Sequence, residues 1–265
     1  MSFEEFTLSE TAKAAGYQLA AFEALGSTNI EALSRGHNSV AERGWVVARQ
    51  QTAGKGSRGR GWISPLGNLY ASLFIQTRLP LPLLSSLGFV AGLALEKSIV
   101  QCAPFLSGRI QLKWPNDLLV DGAKLSGILL ETEPTVDGAR VLVVGMGVNI
   151  TAAPTGLAYP AMSLLSLGCN ASSATLFAVL TESWIELERL WDEGRGFSVI
   201  RNLWLEKAAG LGAPVNVKIG PDEISGIFET MDDMGRLVVR RSDDGTRTIA
   251  AGEVYFSAAS AAGKD

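Results

Sequence analysis

Apolar positions recur at helical spacing in some stretches of the chain and alternate, or run continuously, in others. Ser27 or Thr28 can cap a short helix whose first turn holds Glu31 in a T-x-x-E box, with Gly36 as its stop. RGWVVARQ, Arg43 to Gln50, reads as a strand. Gln51 to Gly67 then places Gly54, Gly56, Gly59, Gly61 and Gly67 among basic residues, the pattern of a mobile loop. Asn68 to Thr77 returns to strand, and Leu83 to Gln101 has the length and residue types of a helix. Arg109 to Lys113, Leu118 to Val120, Lys124 to Glu133 and Arg140 to Ile150 read as strands, followed by amphipathic helices from Thr175 to Trp191 and Phe197 to Ala209. This order predicts a mixed α+β core and not a regular βαβ alternation.

After Gly212 the character changes. PVNVKI, ISGIFET, RLVVRR and TRTIAAGEVYF are short strands separated by Gly-Pro-Asp, Asp-Asp-Met-Gly and Asp-Asp-Gly turns, which predicts a small β-barrel of roughly forty-five residues. The expected division is therefore a core over residues 1–211 and a module over 212–265. No internal repeat or low-complexity linker interrupts either part.

Composition narrows the class. Of 265 residues, 47% are hydrophobic and 19% charged, enough to bury a sizeable core and far from a disordered chain. Lys and Arg number 23 against 27 Asp and Glu, a net charge of -4, so no global basic field attracts nucleic acid. Cys102 and Cys169 form no C-x-x-C pair, which argues against a disulfide framework or zinc site and for a reducing cytoplasm. The start, MSFEEFTLSE, lacks the basic and apolar regions of a secretory signal. Leu81 to Leu106 is interrupted by Glu96 and Lys97 and carries Pro82 and Pro104, so no membrane span is expected. His37, the single histidine, lies beside Gly36 and Asn38 in an apparent turn and reads as a solvated surface residue, so a Ser-His-Asp triad is not the working idea.

Three segments carry chemistry. GKGSRG, Gly54 to Gly59, formally satisfies G-x-G-x-x-G after a strand, but Pro65 and further glycines follow where a dinucleotide-binding loop needs a helix. Nor is it a Walker loop, since Gly56 and not Ser or Thr follows Lys55. Its backbone amides with Lys55, Arg58 and Arg60 suit phosphate or carboxylate oxygens, or simply a solvated turn. The second segment is sharper. Lys113-Trp114-Pro115-Asn116-Asp117 joins two strands, and Lys124-Leu125-Ser126-Gly127 follows within hairpin distance. A side-chain amide, a carboxylate and two lysines converging on one sheet edge are costly unless paired or used. In the third, Gly145-Met146-Gly147-Val148-Asn149, small residues at a strand end admit a ligand and Asn149 offers an amide able to read a base edge.

Together these segments resemble the catalytic domain of biotin protein ligases. The matching pieces are Ser27-Thr28-Asn29, the loop from Gln51 to Trp62, KWPND at 113–117 with Lys124 and Gly127, and GMGVN at 145–149, in the family's order. The resemblance implies a seven-stranded mixed sheet of the biotin/lipoate ligase type backed by helices, with a small C-terminal SH3-like barrel. It implies that biotin, ATP and Mg²⁺ bind above one sheet face and that biotin is attached, through biotinyl-5′-AMP, to a lysine of the biotin carboxyl carrier protein of acetyl-CoA carboxylase or a related carboxylase. On this basis Ser27, Thr28, Asn29, Gln51, Gly54, Gly56 and the Lys55 backbone are expected around the ureido ring of biotin. Lys124 is expected on its carboxylate and then on the adenylate, supported by Gly127. Trp62 is expected over the adenine, with Asn116 and Asn149 as its polar contacts. Lys113, Arg58 and Arg60 add positive charge, and Asp117 would meet a metal or an amine.

The chemistry accords with this, because a carboxylate becomes an acyl donor only when adenylation supplies AMP as leaving group, and two anions must then meet between fixed cations. One departure stands out: Lys55 replaces one arginine of the family's G-R-G-R loop and Ser57 removes the other's charge, which implies looser retention of the adenylate. Ser27-Thr28-Asn29 also comes too early to leave room for the winged helix-turn-helix of regulatory members, so no DNA binding is expected. Two other readings remain. A lipoate-type ligase lacks support, there being no RRxSGG-like segment, and a non-catalytic biotin or nucleotide sensor is favoured by Ser57 but opposed by Lys113, Asp117 and Lys124. The sequence leaves monomer and homodimer both open.

Overall fold

Strands that are apolar on both faces build the centre of the protein. The computed structural model describes residues 4–38, 41–157, 159–242 and 245–256. Helix α1 (Glu10–Ala14), capped by the Ser9 hydroxyl, precedes β1 (Gln18–Leu25), α2 (Thr28–Asn38) and β2 (Arg43–Gln51). The glycine loop leads to β3 (Leu69–Thr77), then α3 (Leu81–Ser85) and α4 (Leu87–Cys102). The hairpins β4 (Ile110–Lys113), β5 (Asp117–Val120), β6 (Ala123–Pro134) and β7 (Arg140–Val148) follow, then α5 (Ser173–Trp191) and α6 (Phe197–Glu206). The first seven strands form one sheet in the order β1-β2-β3-β7-β6-β5-β4, parallel between β1 and β2 and antiparallel elsewhere, as the mixed sheet expected from the sequence requires.

The alternation of side chains along each strand divides the sheet's duties. Leu142, Val144, Met146 and Val148 of β7 face the main core, where α4 and α5 pack with the rings of Trp45, Phe177 and Trp184. Val141 and Val143 face the other way and pack under α2 with Val46 and Phe74. Further along this second face the valines give way to Gly145 and Gly147, and the covered apolar surface becomes an open floor. The same register aligns Lys113, Asp117, Gly127, Gly147 and Tyr70 as successive cross-strand partners. Directly opposed residues share a face, so this row carries two charged side chains beside two positions with none.

Several expectations are corrected. Gly36 does not stop α2: it lies inside the helix, where a Cβ would stand 2.3 Å from Val141 Cγ1, so it serves close approach to the sheet. The T-x-x-E box does not close, since Glu31 pairs with Arg35 at 2.8 Å and the Thr28 hydroxyl turns to Gln51. His37 sits in the last turn of α2, 3.0 Å from Glu133, and not in a turn. Helix α6 ends at Glu206, because Lys207 to Ala209 instead runs beside β4, with Leu112 bonded to both Lys207 O and Ala209 N. The apolar segment Leu81–Cys102 is mostly buried and serves as the core of the helical layer.

The C-terminal module is a five-stranded antiparallel sheet of β8 (Pro214–Ile219), β9 (Asp222–Met231), β10 (Leu237–Arg240), β11 (Thr246–Ile249) and β12 (Glu253–Phe256), in the order β11-β10-β9-β8-β12. The run TRTIAAGEVYF is thus two strands at opposite edges, joined across the module by Ala250 to Gly252. The module is fastened to the core by Trp114, whose indole N–H donates to Gly235 O at 3.0 Å.

Candidate ligand-binding and catalytic site

A cavity of about 440 Å³ opens above the glycine floor. Its inner end is polar. Gln51, the last residue of β2, accepts at Oε1 from the backbone N–H and hydroxyl of Thr28 at 2.8 and 3.0 Å, and its Nε2 donates to Ser64 at 3.0 Å. Ser27, Thr28 and Asn29 line this end and are each 4% exposed. Behind them Ser72 Oγ lies 2.7 Å from Thr28 Oγ1 and 2.6 Å from Asn29 Oδ1. Gly145 must be glycine here, since a Cβ would stand 2.1 Å from Asn29 Oδ1.

The glycine loop covers the cavity. It is held by a bridge between Lys55 and Gly61 and by Trp62 N donating to Gly54 O at 2.9 Å, a crossing so close that a Cβ on Gly54 would lie 2.4 Å from Trp62 O. Trp62 rests on the floor: a Cβ on Gly147 would be 2.6 Å from its ring, and one on Gly127 3.0 Å. Lys55, Gly56, Ser57 and Arg60 line the cavity, whereas Arg58, in the left-handed region at φ 60°, turns away. Arg58 and Arg60 both reach Glu253 of β12, at 2.9 and 2.7 Å. These arginines and the Tyr255 hydroxyl hold the Glu253 carboxyl below its ordinary range despite the upward pull of burial.

Lys124 occupies the outer end. Its Nζ is 2.6 Å from Asp117 Oδ1 and lies over the rings of Trp62 and Tyr159, 5.5 and 5.6 Å from their centroids. Asn116 lines the same wall and donates Nδ2 to Ile128 O at 2.7 Å, locking the KWPND turn to β6. Beyond Asp117 a second cavity of about 500 Å³ separates this turn from β12. Lys113 lines it with Arg58 and Arg60, its Nζ over Tyr255 and Phe256 at 5.9 and 5.7 Å. Burial drives the Lys113 pKa down, and the neighbouring Lys124 and Arg60 add to this against the opposing pull of Asp117 and Glu253.

Asn149 does not line the main cavity. It is 2% exposed and borders a small recess shared with Trp62, Leu157 and Tyr159. Its Oδ1 is buried without a hydrogen-bond partner, as is Trp62 Nε1. A buried acceptor without a donor is costly, which marks this recess as built for a ligand that donates.

The other predicted residues thus converge, while Arg58 and Lys113 lie in the second cavity, Asn149 in the recess, and Gly54 packs against Trp62 O and Ser64 without lining the cavity. Sequence reasoning missed Tyr159, Glu131 and Glu253, which lie in or beside segments without motif. Ser72 did leave a signal, as a polar residue inside the apolar run LYASLFIQT. Among the described residues no group of three His, Cys, Asp or Glu side chains could hold a metal.

Comparison with known proteins agrees with this geometry. Residues 22–149 match the model of the biotin/lipoate A/B protein ligase family, and residues 210–257 match the biotin protein ligase C-terminal domain. A biotin–[acetyl-CoA-carboxylase] ligase of Paracoccus denitrificans is 38% identical over 239 residues, covering 87% of this chain and 97% of that protein. One of Mycobacterium tuberculosis is 33% identical over 237 residues, covering 86% of this chain and 85% of its own. Among solved structures, biotin protein ligase from Aquifex aeolicus in complex with biotin and ATP superposes with a TM-score of 0.73 at 23% identity, over 91% of this chain and 98% of that one, and so shares the fold. With the Paracoccus protein matched over nearly its whole length and both modules recognised, the chain belongs to the biotin protein ligase family.

Proposed function

We propose that this chain activates biotin with ATP and transfers it, through biotinyl-5′-AMP, to a lysine of the biotin carboxyl carrier protein of acetyl-CoA carboxylase or a related carboxylase. One observation carries the reading. Lys124 stands where the main cavity, the second cavity and the Asn149 recess meet, flanked by two rings and paired with one carboxylate.

The polar inner end suits a ureido ring. Ser27, Thr28, Gln51 and the Lys55 backbone present donors and acceptors to its oxygen and N–H groups, with Asn29, Gly54 and Gly56 shaping the enclosure. The carboxylate of biotin then reaches Lys124. In the first step a biotin carboxylate oxygen bonds to the α-phosphorus of ATP and pyrophosphate leaves. Lys124 neutralises both approaching anions, and Arg60 supplements it from the loop, the Lys55 ammonium being turned to Glu131. Arg58 and Lys113, in the second cavity, face the departing pyrophosphate. Asn149 Oδ1 supplies the acceptor that an adenine amine requires, Asn116 adds a polar contact, and Trp62, which borders the same recess as Asn149, covers the adenine. In the second step the carrier's lysine amine attacks the acyl carbon and AMP leaves, with Asp117 as the carboxylate able to take the amine's proton.

Mg²⁺ fits this site in a limited way. Magnesium is usually held by one or two carboxylates together with substrate phosphates, and Asp117 is the carboxylate bordering both large cavities. The ion would screen the β- and γ-phosphates. The acidic balance and the absence of a basic field support a partner that is protein and not nucleic acid, and two cysteines with no C-x-x-C pair support the cytoplasm. A division at 211/212 is supported by the switch there from helices to short strands.

The test is pyrophosphate release by the purified chain. Release that needs biotin and ATP together supports the reading, and release that ignores biotin, or none at all, removes it. A sensor would bind both ligands without turnover.

A further inference from the structure

Glu131 lies on β6 four residues beyond Gly127, on the face that carries the site, and its two oxygens hold different parts of that site. Oε2 accepts from Asn29 Nδ2 at 2.8 Å, and Oε1 lies 3.5 Å from Lys55 Nζ. An ionised carboxylate accepts and cannot donate, so, with the longer contact to Leu129 O at 3.4 Å beside it, it fixes the Asn29 amide with Nδ2 toward Glu131 and Oδ1 toward Ser72. Ser72 has one hydroxyl proton, and Oδ1 at 2.6 Å is placed to take it. With that proton spent, the single Thr28 hydroxyl proton is drawn to Ser72 Oγ at 2.7 Å, in competition with Gln51 Oε1 at 3.0 Å. Were Asn29 to flip, its amide would donate toward Ser72 and the polarity of the whole chain of bonds would reverse. At its other end the same carboxylate tethers the loop whose Lys55 backbone covers the cavity.

We infer that Glu131 is a positioning residue for biotin, presetting the Asn29–Ser72–Thr28 hydrogen bonds and anchoring the glycine loop through Lys55. This rests on the reading above that Thr28, Gln51 and Lys55 hold the ureido ring. The ion pair by itself is weak, because the Lys55 and Glu131 side chains are 42% and 28% exposed. The consequence comes from orienting Asn29, which is 4% exposed and cannot borrow water instead. The role concerns biotin and leaves ATP alone, since Glu131 borders neither Lys124 nor the second cavity.

The variant Glu131→Gln removes the charge and lets the side chain donate, while changing volume little. Steady-state pyrophosphate release should show the KM for biotin raised about five- to tenfold, with the KM for ATP and kcat within about twofold of the parent. Hydrogen exchange over residues 54–62 without ligand should become faster. An unchanged biotin KM, or a parallel loss in both KM values and kcat as from general damage, would overturn the proposal. Failure of the ligase reading is distinguishable, because the parent chain itself would then release no biotin-dependent pyrophosphate. Unchanged exchange in Glu131→Gln would refute the anchoring whatever the activity.

Discussion

Replacing Lys124 by methionine separates what this lysine does for the fold from what it does for the reaction. Lys124 Nζ and Asp117 Oδ1 are 2.6 Å apart, which at an effective dielectric of about 20 corresponds to about 6 kcal/mol of gross attraction. Desolvation of two side chains that are only 14% and 20% exposed offsets most of it. Taking away the lysine strands Asp117 without its counter-charge, so Lys124→Met should lose about 2–4 kcal/mol of stability, the lower figure reflecting residual solvent access. The double variant Lys124→Met/Asp117→Asn has no stranded charge and should return to within about 1 kcal/mol of the parent. The backbone is spared in either case, since Lys124 N and O bond to Pro160 O and Met162 N whatever the side chain. Catalysis should not recover. Loss of a preorganised cation opposite two anions predicts at least ~100-fold slower adenylation in both variants, about 2.7 kcal/mol of transition-state stabilisation. Urea unfolding gives the stability, and single-turnover biotinyl-adenylate formation gives the rate. A double variant that regained activity with stability, or a single variant that adenylated at near-parent rate, would refute the reasoning.

Other consequences follow from the same geometry. Gly147→Ala would push a methyl to 2.6 Å from the Trp62 ring; overpacking of about 1–3 kcal/mol should weaken biotin binding by roughly five- to 150-fold in calorimetric titration, and an unchanged affinity would mean Trp62 does not rest on the floor. Ser57→Arg restores a cation that Arg58, turned to Glu253, does not supply; the half-life of bound biotinyl-adenylate should lengthen about tenfold or more and labelling of bystander albumin should fall, whereas equal half-lives would show that Ser57 has no such effect. Lys113 has its pKa lowered mainly by burial, so its charged form costs stability below that pKa, and the cost fades as pH rises through it toward the ordinary lysine value of about 10.4. Lys113→Met should therefore be more stable than the parent at neutral pH, with the difference shrinking at alkaline pH; a difference independent of pH in thermal melts would contradict this.

Much of this was legible in the sequence wherever local pattern and burial agreed. The apolar runs of β2, β3 and β7 announce themselves because these strands are covered on both faces, by α4 and α5 on one side and α2 on the other. β1 did not, because QLAAFEAL is an edge strand, half exposed and rich in alanine, whose identity comes from parallel pairing with a segment 26 residues away, as in Gln18 with Gly44. Gly36 was misread because a glycine near a helix end has the same signature whether it stops the helix or lets it touch Val141. In the site, KWPND and its lysine were readable as a unit since turn and hairpin hold them close in sequence. The contacts of Glu131 with Lys55 and Asn29, and of Glu253 with Arg58 and Arg60, span 76 to 195 residues, and only the sheet register and the placing of β12 bring them together.

The central claim is that biotin is activated here and delivered to a carrier lysine. Its most direct test is intact-mass measurement of a purified biotin carboxyl carrier domain after incubation with this chain, biotin and Mg-ATP. The account predicts one biotinyl group per carrier, absent without ATP, absent when the carrier's acceptor lysine is replaced, and lost with Lys124→Met. A carrier that stays unmodified while the chain binds biotin and ATP would contradict it.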